Sequence, residues 1–234
     1  MKKQELYSKG GLNGAALKWL AILTMTIDHI GVGLLASLAP NSIFGSPTVY
    51  LLTRLIGRLA FPIFVFLIIQ GYQHTSNLRS YLTRLFLFAL VSEVPFDLMV
   101  SNQVLDFNHQ NIFFTLFIGV TGLAMLEYYE MKNQTIPKFL VMIGALLLAE
   151  ILKTDYGLYG VLFIIGVGIF RDQKIWQTFF GVVMGFAQAL TASLAFLSIW
   201  FYNGERGRQN KWFFYIYYPA HLFIIFLIRK ILFK

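Results

Sequence analysis

The residues able to do chemistry concentrate first in one apolar run. Leu17-Lys18-Trp19-Leu20-Ala21-Ile22-Leu23-Thr24-Met25-Thr26-Ile27-Asp28-His29-Ile30-Gly31 holds a cation, a carboxylate and an imidazole. Lys18 and His29 are eleven positions apart. At 100° per residue that is about three turns plus roughly 20°, so both share one helix face, with Ile22 and Met25 between them. Asp28 points about 100° away from His29, toward a neighbouring helix rather than its own neighbour's ring. An imidazole beside a carboxylate and above a cation is suited to proton transfer, because its charge changes near neutral pH. Gly31 and Gly33 follow and allow close helix approach.

Three other apolar runs each bury an ionisable residue: Arg58, Glu93 in Ser92-Glu93-Val94-Pro95-Phe96, and Glu150. With a rise of 1.5 Å per residue, His29, Glu93 and Glu150 come to about 20 Å from the inner boundary, and Arg58 to about 16–20 Å. That shared depth predicts convergence, with Arg58 pairing Asp28, Glu93 or Glu150. Such a pair serves either chemistry or helix cohesion, and the spacing leaves both open. Arg54, one turn from Arg58, reads as snorkelling outward. His221, in Tyr217-Tyr218-Pro219-Ala220-His221, lies about 13 Å into the last run, its role structural or functional alike. His74 and His109 fall in connections and read as solvated.

The elements that must position these groups are membrane helices. Hydrophobic residues make up 57% of the 234 positions and charged residues 13%, with a mean hydropathy of +0.65. A soluble domain carries about a quarter charged residues. The expected fold is an all-α polytopic transmembrane bundle forming a single domain over 1–234. Its expected spans are 15–38, 49–72, 80–101, 111–130, 136–153, 157–171, 175–190, 192–202 and 212–232. That makes about nine, or eight if 175–202 is one span. The net charge of +8 sits in short connections, so it sets topology rather than marking nucleic acid. Lys2, Lys3 and Lys9, then Arg79 and Arg84, Lys132 and Lys138, Arg171 and Lys174, and Arg206, Arg208 and Lys211 alternate with connections poor in Lys and Arg. Nine spans with a cytoplasmic N-terminus put all of these inside. Pro40 after Ser37-Leu38-Ala39, and the charges at Lys18 and Asp28, make the first run a retained helix rather than a signal peptide. With no cysteine, disulfides and thiol chemistry are excluded. No Gly-Lys-Ser nucleotide loop, HExxH or Gly-x-Ser-x-Gly occurs, which argues against an ATPase, a zincin and an α/β-hydrolase. The connections at Gly71–Asn77 and Tyr202–Arg208, with Lys18, make a basic inner mouth suited to a phosphorylated ligand, although the positive-inside rule alone also accounts for it.

Several motifs together resemble the TraX family. They are Leu17-Lys18 through Met25-Thr26-Ile27-Asp28-His29-Ile30-Gly31, Gly57-Arg58-Leu59-Ala60-Phe61-Pro62-Ile63-Phe64, and Gly71, His74-Thr75 and Tyr81-Leu82-Thr83-Arg84-Leu85. Asn111-Ile112-Phe113-Phe114-Thr115-Leu116, Tyr202-Asn203-Gly204 with Arg206-Gly207, and Phe214-Tyr215-Ile216-Tyr217-Tyr218-Pro219-Ala220-His221-Leu222 complete the set, in family order from 17 to 222. The founding member is a conjugation protein associated with N-terminal acetylation of pilin, and the family is similar to acyltransferase-3 and heparan-α-glucosaminide N-acetyltransferase proteins. The resemblance implies a multi-pass protein of the bacterial inner membrane. It would move an acyl group, from acetyl-CoA or another acyl-CoA and without a metal, to an amine or hydroxyl of pilin, another exported protein or an envelope glycan. His29 would be the general base, Asp28 or Glu93 would orient it, and Arg58 would hold a carboxylate or an oxyanion. Lys18, His74, Arg84 and Arg206 would take the CoA phosphates. Acyltransferase-3 proteins place a basic residue, ten others and then His in the first span. Lys18 stands where they have Arg, so a point charge replaces a bidentate fork. Two rival readings use the same buried charges: a proton-coupled transporter or flippase, and a non-catalytic pilus or envelope assembly factor. The chain shows no two-halves repeat of the transporter kind.

Overall fold

The computed structural model describes residues 10–38 and 46–233. The helices are α1 (Gly14–Gly33), α2 (Pro47–Gly57), α3 (Ala60–His74), α4 (Leu78–Val100), α5 (Ile112–Met131), α6 (Thr135–Ile151), α7 (Gly157–Ile169), α8 (Lys174–Gln188), α9 (Leu190–Trp200) and α10 (Lys211–Leu232). No strand forms among the described residues. Side-chain caps set several starts. The amides of Asn13, Asn77, Asn111 and Asn210 accept the first free N–H groups of α1, α4, α5 and α10, and Ser46 does the same for α2 ahead of Pro47. Each such cap stabilises its helix by about 1 kcal/mol.

Among the described residues, four helical stretches are long and apolar enough to cross a membrane: Gly14–Ser37, Pro47–His74, Ile112–Met131 and Trp212–Leu232. α4 is as long but carries Arg79, Arg84, Glu93 and Asp97, while α6 to α9 have 17 residues or fewer. The surface agrees with lipid contact. Trp176, Phe179, Val183 and Phe186 along α8, and Phe139, Leu140, Ile143 and Leu147 along α6, are all more than half exposed. A water-facing protein does not present apolar stripes of that extent.

Two expectations about the spans are refined. The run 49–72 lies within one candidate span but is not one helix: α2 ends at Gly57, where the Arg58 N–H donates to the Arg54 carbonyl and the Leu59 N–H to the Ile56 carbonyl, each at 3.2 Å. The segment 175–202 is divided, as expected for separate runs 175–190 and 192–202, with the break two residues earlier than that boundary. Ala189 alone, in extended conformation, joins α8 to α9, and the two helices fold back on each other. A Cβ on Gly181 would lie 1.9 Å from the Phe196 ring, one on Gly185 would lie 2.7 Å from the backbone N of Ser193, and the Ser193 hydroxyl donates to the Val182 carbonyl at 2.9 Å. Missing side chains on Gly181 and Gly185 are therefore what let the pair close.

The chain divides into two compact units, Met1–Leu67 with Gln173–Lys234, and Ile68–Asp172. In the second unit α7 is apolar on every side, and Val161, Phe163, Ile164, Ile165 and Val167 are fully buried. A helix of that kind has to sit in the centre of its unit. α5 packs on it closely, because a Cβ on Gly119 would meet Ile164 at 2.7 Å and one on Gly168 would meet Leu123 at 2.3 Å.

In the first unit α1 is held by α2 on one side and α10 on another. The α1–α2 contact again depends on missing side chains. A Cβ on Gly31 would lie 2.1 Å from the Thr53 hydroxyl, and one on Gly57 would lie 2.3 Å from both Cβ and Oδ1 of Asp28. Gly57→Ala is expected to force α1 and α2 apart and lower stability by about 1–3 kcal/mol, read as a lower unfolding midpoint in detergent. Gly144→Ala, where an added Cβ meets nothing within 4 Å, serves as the control and should leave the midpoint unchanged or raise it, since alanine favours the helix.

Candidate functional site

The imidazole of His29 is paired with a second imidazole. Nδ1 of His29 lies 2.7 Å from Nε2 of His221 on α10. Nδ1 of His221 lies 2.8 Å from the Tyr217 carbonyl oxygen, one turn earlier. A carbonyl can only accept, so Nδ1 of His221 carries its proton. In the neutral ring Nε2 of His221 is then an acceptor, and Nδ1–H of His29 donates to it. The lone pair of neutral His29 is left on Nε2, the nitrogen turned away from the pair. The Tyr217, His221 and His29 rings lie nearly parallel in succession, at 4.9 Å between centroids for each neighbouring pair. Tyr218 meets both imidazoles edge-on. The Tyr217 hydroxyl is 2.7 Å from Oγ1 of Thr26, which also donates to the Ile22 carbonyl. Tyr217 and His221 are an i, i+4 pair on α10, so one face of α10 meets the Thr26–His29 turn of α1.

The lower part of the same α1 face also meets the α10 side. Lys18 donates to the Gln209 carboxamide and its ammonium lies 4.9 Å from the Phe214 ring centre. Trp19 packs on Phe213 and Phe214. The connection before α10 is tied to the start of α1. Leu12 N–H donates to Phe201 O at 2.7 Å, Asn203 N–H to Leu12 O at 2.9 Å and Gly14 N–H to Glu205 O at 2.8 Å. Gly207 is left-handed (φ +70°), and a Cβ there would meet the Asn13 carboxamide at 2.7 Å, so only glycine fits this turn. Gln209 in turn donates to the Arg206 carbonyl at 2.8 Å. Lys18 and the Arg206 loop are therefore joined at one end of the first unit.

Asp28 and Arg58 do not pair. The partner of Asp28 is Arg54, at 2.7 Å, with both side chains mostly buried. Arg54 was expected to snorkel, but it lies on the α2 face turned to α1, whereas Arg58 falls on the turn after α2 and forms no ion pair among the described residues. Asp28 reaches a neighbouring helix, as its angular position requires. The His29 ring nitrogen that an orienting carboxylate would engage is instead on His221.

The remaining expected site residues belong to the second unit. Glu93 accepts the side-chain amide of Asn111 in a short contact and the Asn111 backbone N–H at 3.3 Å. Asn111 is fully buried, and its amide also donates to the Ala89 carbonyl at 2.8 Å. Glu150 accepts the Leu158 N–H at 3.4 Å, at the start of α7, which is the favoured place for a carboxylate. His74 bonds the Gln70 carbonyl of its own helix at 2.8 Å, and Arg84 lies over the Tyr81 ring. Glu93 and Glu150 thus serve helix ends within their unit. His109, read as solvated, faces Asp155 at 3.6 Å, and this hydrogen-bonding carboxylate raises its pKa above the ordinary 6.5.

Helix periodicity identified the face shared by Lys18 and His29, but not its partner. The signal available for His221 was its i, i+4 relation to Tyr217 within an apolar run. Nothing in the spacing marked Gln209 or Asn111.

Four helical stretches long and apolar enough to cross a membrane, with a histidine pair joining α1 to α10, are the marks of a membrane protein. The chain belongs to the TraX family: the family model described as TraX protein matches residues 13–229. A relative from Dichelobacter nodosus, named "Probable fimbrial assembly protein FimC, serogroup H1", is 24% identical over 238 residues, covering 89% of this chain and 92% of its own. No solved structure matches.

Asn111→Ser keeps a capping oxygen but removes the amide donors to Glu93 and Ala89. It is expected to cost about 1–3 kcal/mol, because the Glu93 carboxylate then loses a buried partner, and denaturant unfolding would measure this. For His109 the raised pKa means stabilisation that is complete below about 6.5 and lost as pH rises through the raised value. The unfolding midpoint should fall across that window in the parent, and Asp155→Asn should remove that part of the pH dependence.

Proposed function

We propose that this protein is a membrane-embedded acyltransferase that serves pilus or envelope assembly by transferring an acyl group, in the first instance acetyl, from acyl-CoA to an amine or hydroxyl acceptor. The observation that carries the reading is the His29–His221 pair, whose hydrogen bonds leave a basic nitrogen on Nε2 of His29. Membership of the TraX family and the fimbrial-assembly name of the Dichelobacter relative support the assembly context.

In this reading Nε2 of His29 takes the proton from the acceptor N–H or O–H as that atom attacks the thioester carbonyl. The C–S bond then breaks, and the proton passes from the His29 imidazolium to the departing CoA thiolate. His221 holds His29 in the tautomer that presents Nε2, with its own tautomer set by the Tyr217 carbonyl, and it stabilises the imidazolium through the same hydrogen bond. His221 is thus a positioning residue. Lys18, Arg206 and Gln209 form the end at which CoA phosphates would be held, Lys18 acting as a point charge. The Asp28–Arg54 pair fixes the α1 turn that carries His29. Acceptors among exported proteins such as pilin, or envelope glycans, fit this scheme. A purely non-catalytic assembly factor is the second reading, favoured by the relative's name, and it should neither bind nor consume acetyl-CoA.

Purified protein in nanodiscs with radiolabelled acetyl-CoA and envelope extract as acceptor separates the two. His29→Ala is expected to lower transfer by at least about 10²-fold, and His29→Asn, which keeps an N–H for Nε2 of His221, should lower it as far while preserving the unfolding midpoint; full activity in either variant sinks the assignment. His221→Ala should lower it less and shift the pH profile, which loss of packing alone would not do.

A further inference from the structure

The α8–α9 hairpin is too short to cross a bilayer twice. At 1.5 Å per residue, α8 with 15 residues is about 22 Å long and α9 with 11 is about 16 Å, against a hydrocarbon core of about 30 Å. α1 and α10, with 20 and 22 residues, reach about 30 Å or more. The hairpin legs are antiparallel, and their open ends meet: the Lys174 ammonium lies 4.4 Å from the Trp200 ring centre. The next residue, Phe201, accepts the Leu12 N–H at 2.7 Å. The start of α8, the end of α9 and the start of α1 therefore lie at one end of the first unit, the basic end.

From that end, Gln188 is fourteen residues along α8 and His29 is fifteen along α1, so both lie about 21–22 Å in. The tip is polar where its surroundings are not. Oε1 and Nε2 of Gln188 and Oγ1 of Thr191 are buried and meet no hydrogen-bond partner among the described residues. Phe186, Leu190 and Leu194 around them face outward. A carboxamide and a hydroxyl in such a place need a polar group to complete them.

We propose that α8–α9 is a re-entrant hairpin, entering and leaving on the basic side, whose tip holds Gln188 and Thr191 in the bilayer interior to hydrogen-bond the acyl carbonyl of the donor. The topology stands alone, whereas the ligand rests on the acyl-transfer reading above. Gln188 N–H and Thr191 O–H supply the donors such an oxygen accepts.

The chain contains no cysteine, so single-cysteine variants label cleanly. In sealed, oriented vesicles with a membrane-impermeant maleimide, Ser37→Cys reports the far end of α1 and Glu205→Cys the basic end of the same unit. Ala189→Cys is expected to resist labelling from the side that modifies Ser37→Cys, and modification from that side overturns the hairpin. For the ligand, Gln188→Leu and Thr191→Val should each weaken acetyl-CoA binding about tenfold while leaving CoA binding unchanged, with Thr191→Ser near the parent value. Equal effects on acetyl-CoA and CoA, or none, overturn the carbonyl assignment. Failure of the parent to bind acetyl-CoA overturns that assignment together with the acyl-transfer reading, and the labelling pattern then decides the hairpin by itself.

Discussion

The hydrogen bond between His29 and His221 is the constraint around which the first unit is arranged. Inside an apolar bundle an imidazole needs a partner for its ring nitrogen, and a second imidazole answers that need without adding a charge. Its geometry demands that α1 and α10 approach along a common face, where Tyr217 and Phe214 on α10 meet Thr26 and Trp19 on α1. The Tyr217 carbonyl and the Thr26–Tyr217 contact fix the second imidazole, so the tautomer of the first is decided two links away.

Charge placement in the first unit follows from the same economy. Asp28 cannot serve His29, since it points along another face, and an unpaired carboxylate at that depth would be costly. Arg54 neutralises it, and Gly57 opens the α2 surface to receive it. In the second unit carboxylates are used differently. Glu93 accepts from a capping asparagine, and Glu150 sits at the start of α7. Half-buried Glu93 and exposed Glu150 finish helix ends there, while Glu127 of the same unit pairs with Arg171.

Most of the helix boundaries were legible in the sequence, because apolar runs and Asn, Ser and Gly punctuation act locally. The α2–α3 break was harder to read. Both flanks are apolar, and the local mark lies past the turn rather than in it: Pro62 has no N–H for the Arg58 carbonyl and crowds it, which favours a break at Arg58-Leu59. The position of the α8–α9 turn was nearly legible, but not its antiparallel closure, which depends on Gly181 and Gly185 facing Phe196 and Ser193. In the site, the common face of Lys18 and His29 could be read from angular spacing alone. The choice of Arg54 over Arg58, and of His221 over a carboxylate, could not. Depth counted along a helix says nothing about rotation relative to a neighbour, and rotation decided both.

The ion pair and the histidine pair differ in how far apart their members lie along the chain. Asp28 and Arg54 are 26 residues apart, on consecutive helices, so they can neutralise each other as soon as α2 follows α1 into the bilayer. His29 and His221 are 192 residues apart, on α1 and α10. Nδ1 of His29 therefore finds its partner only after α10 has been made. A chain stopped before α10 can hold its early charges safely in lipid, yet it lacks the histidine pair, so the order of translation itself delays the orientation of His29 until α10 is in place.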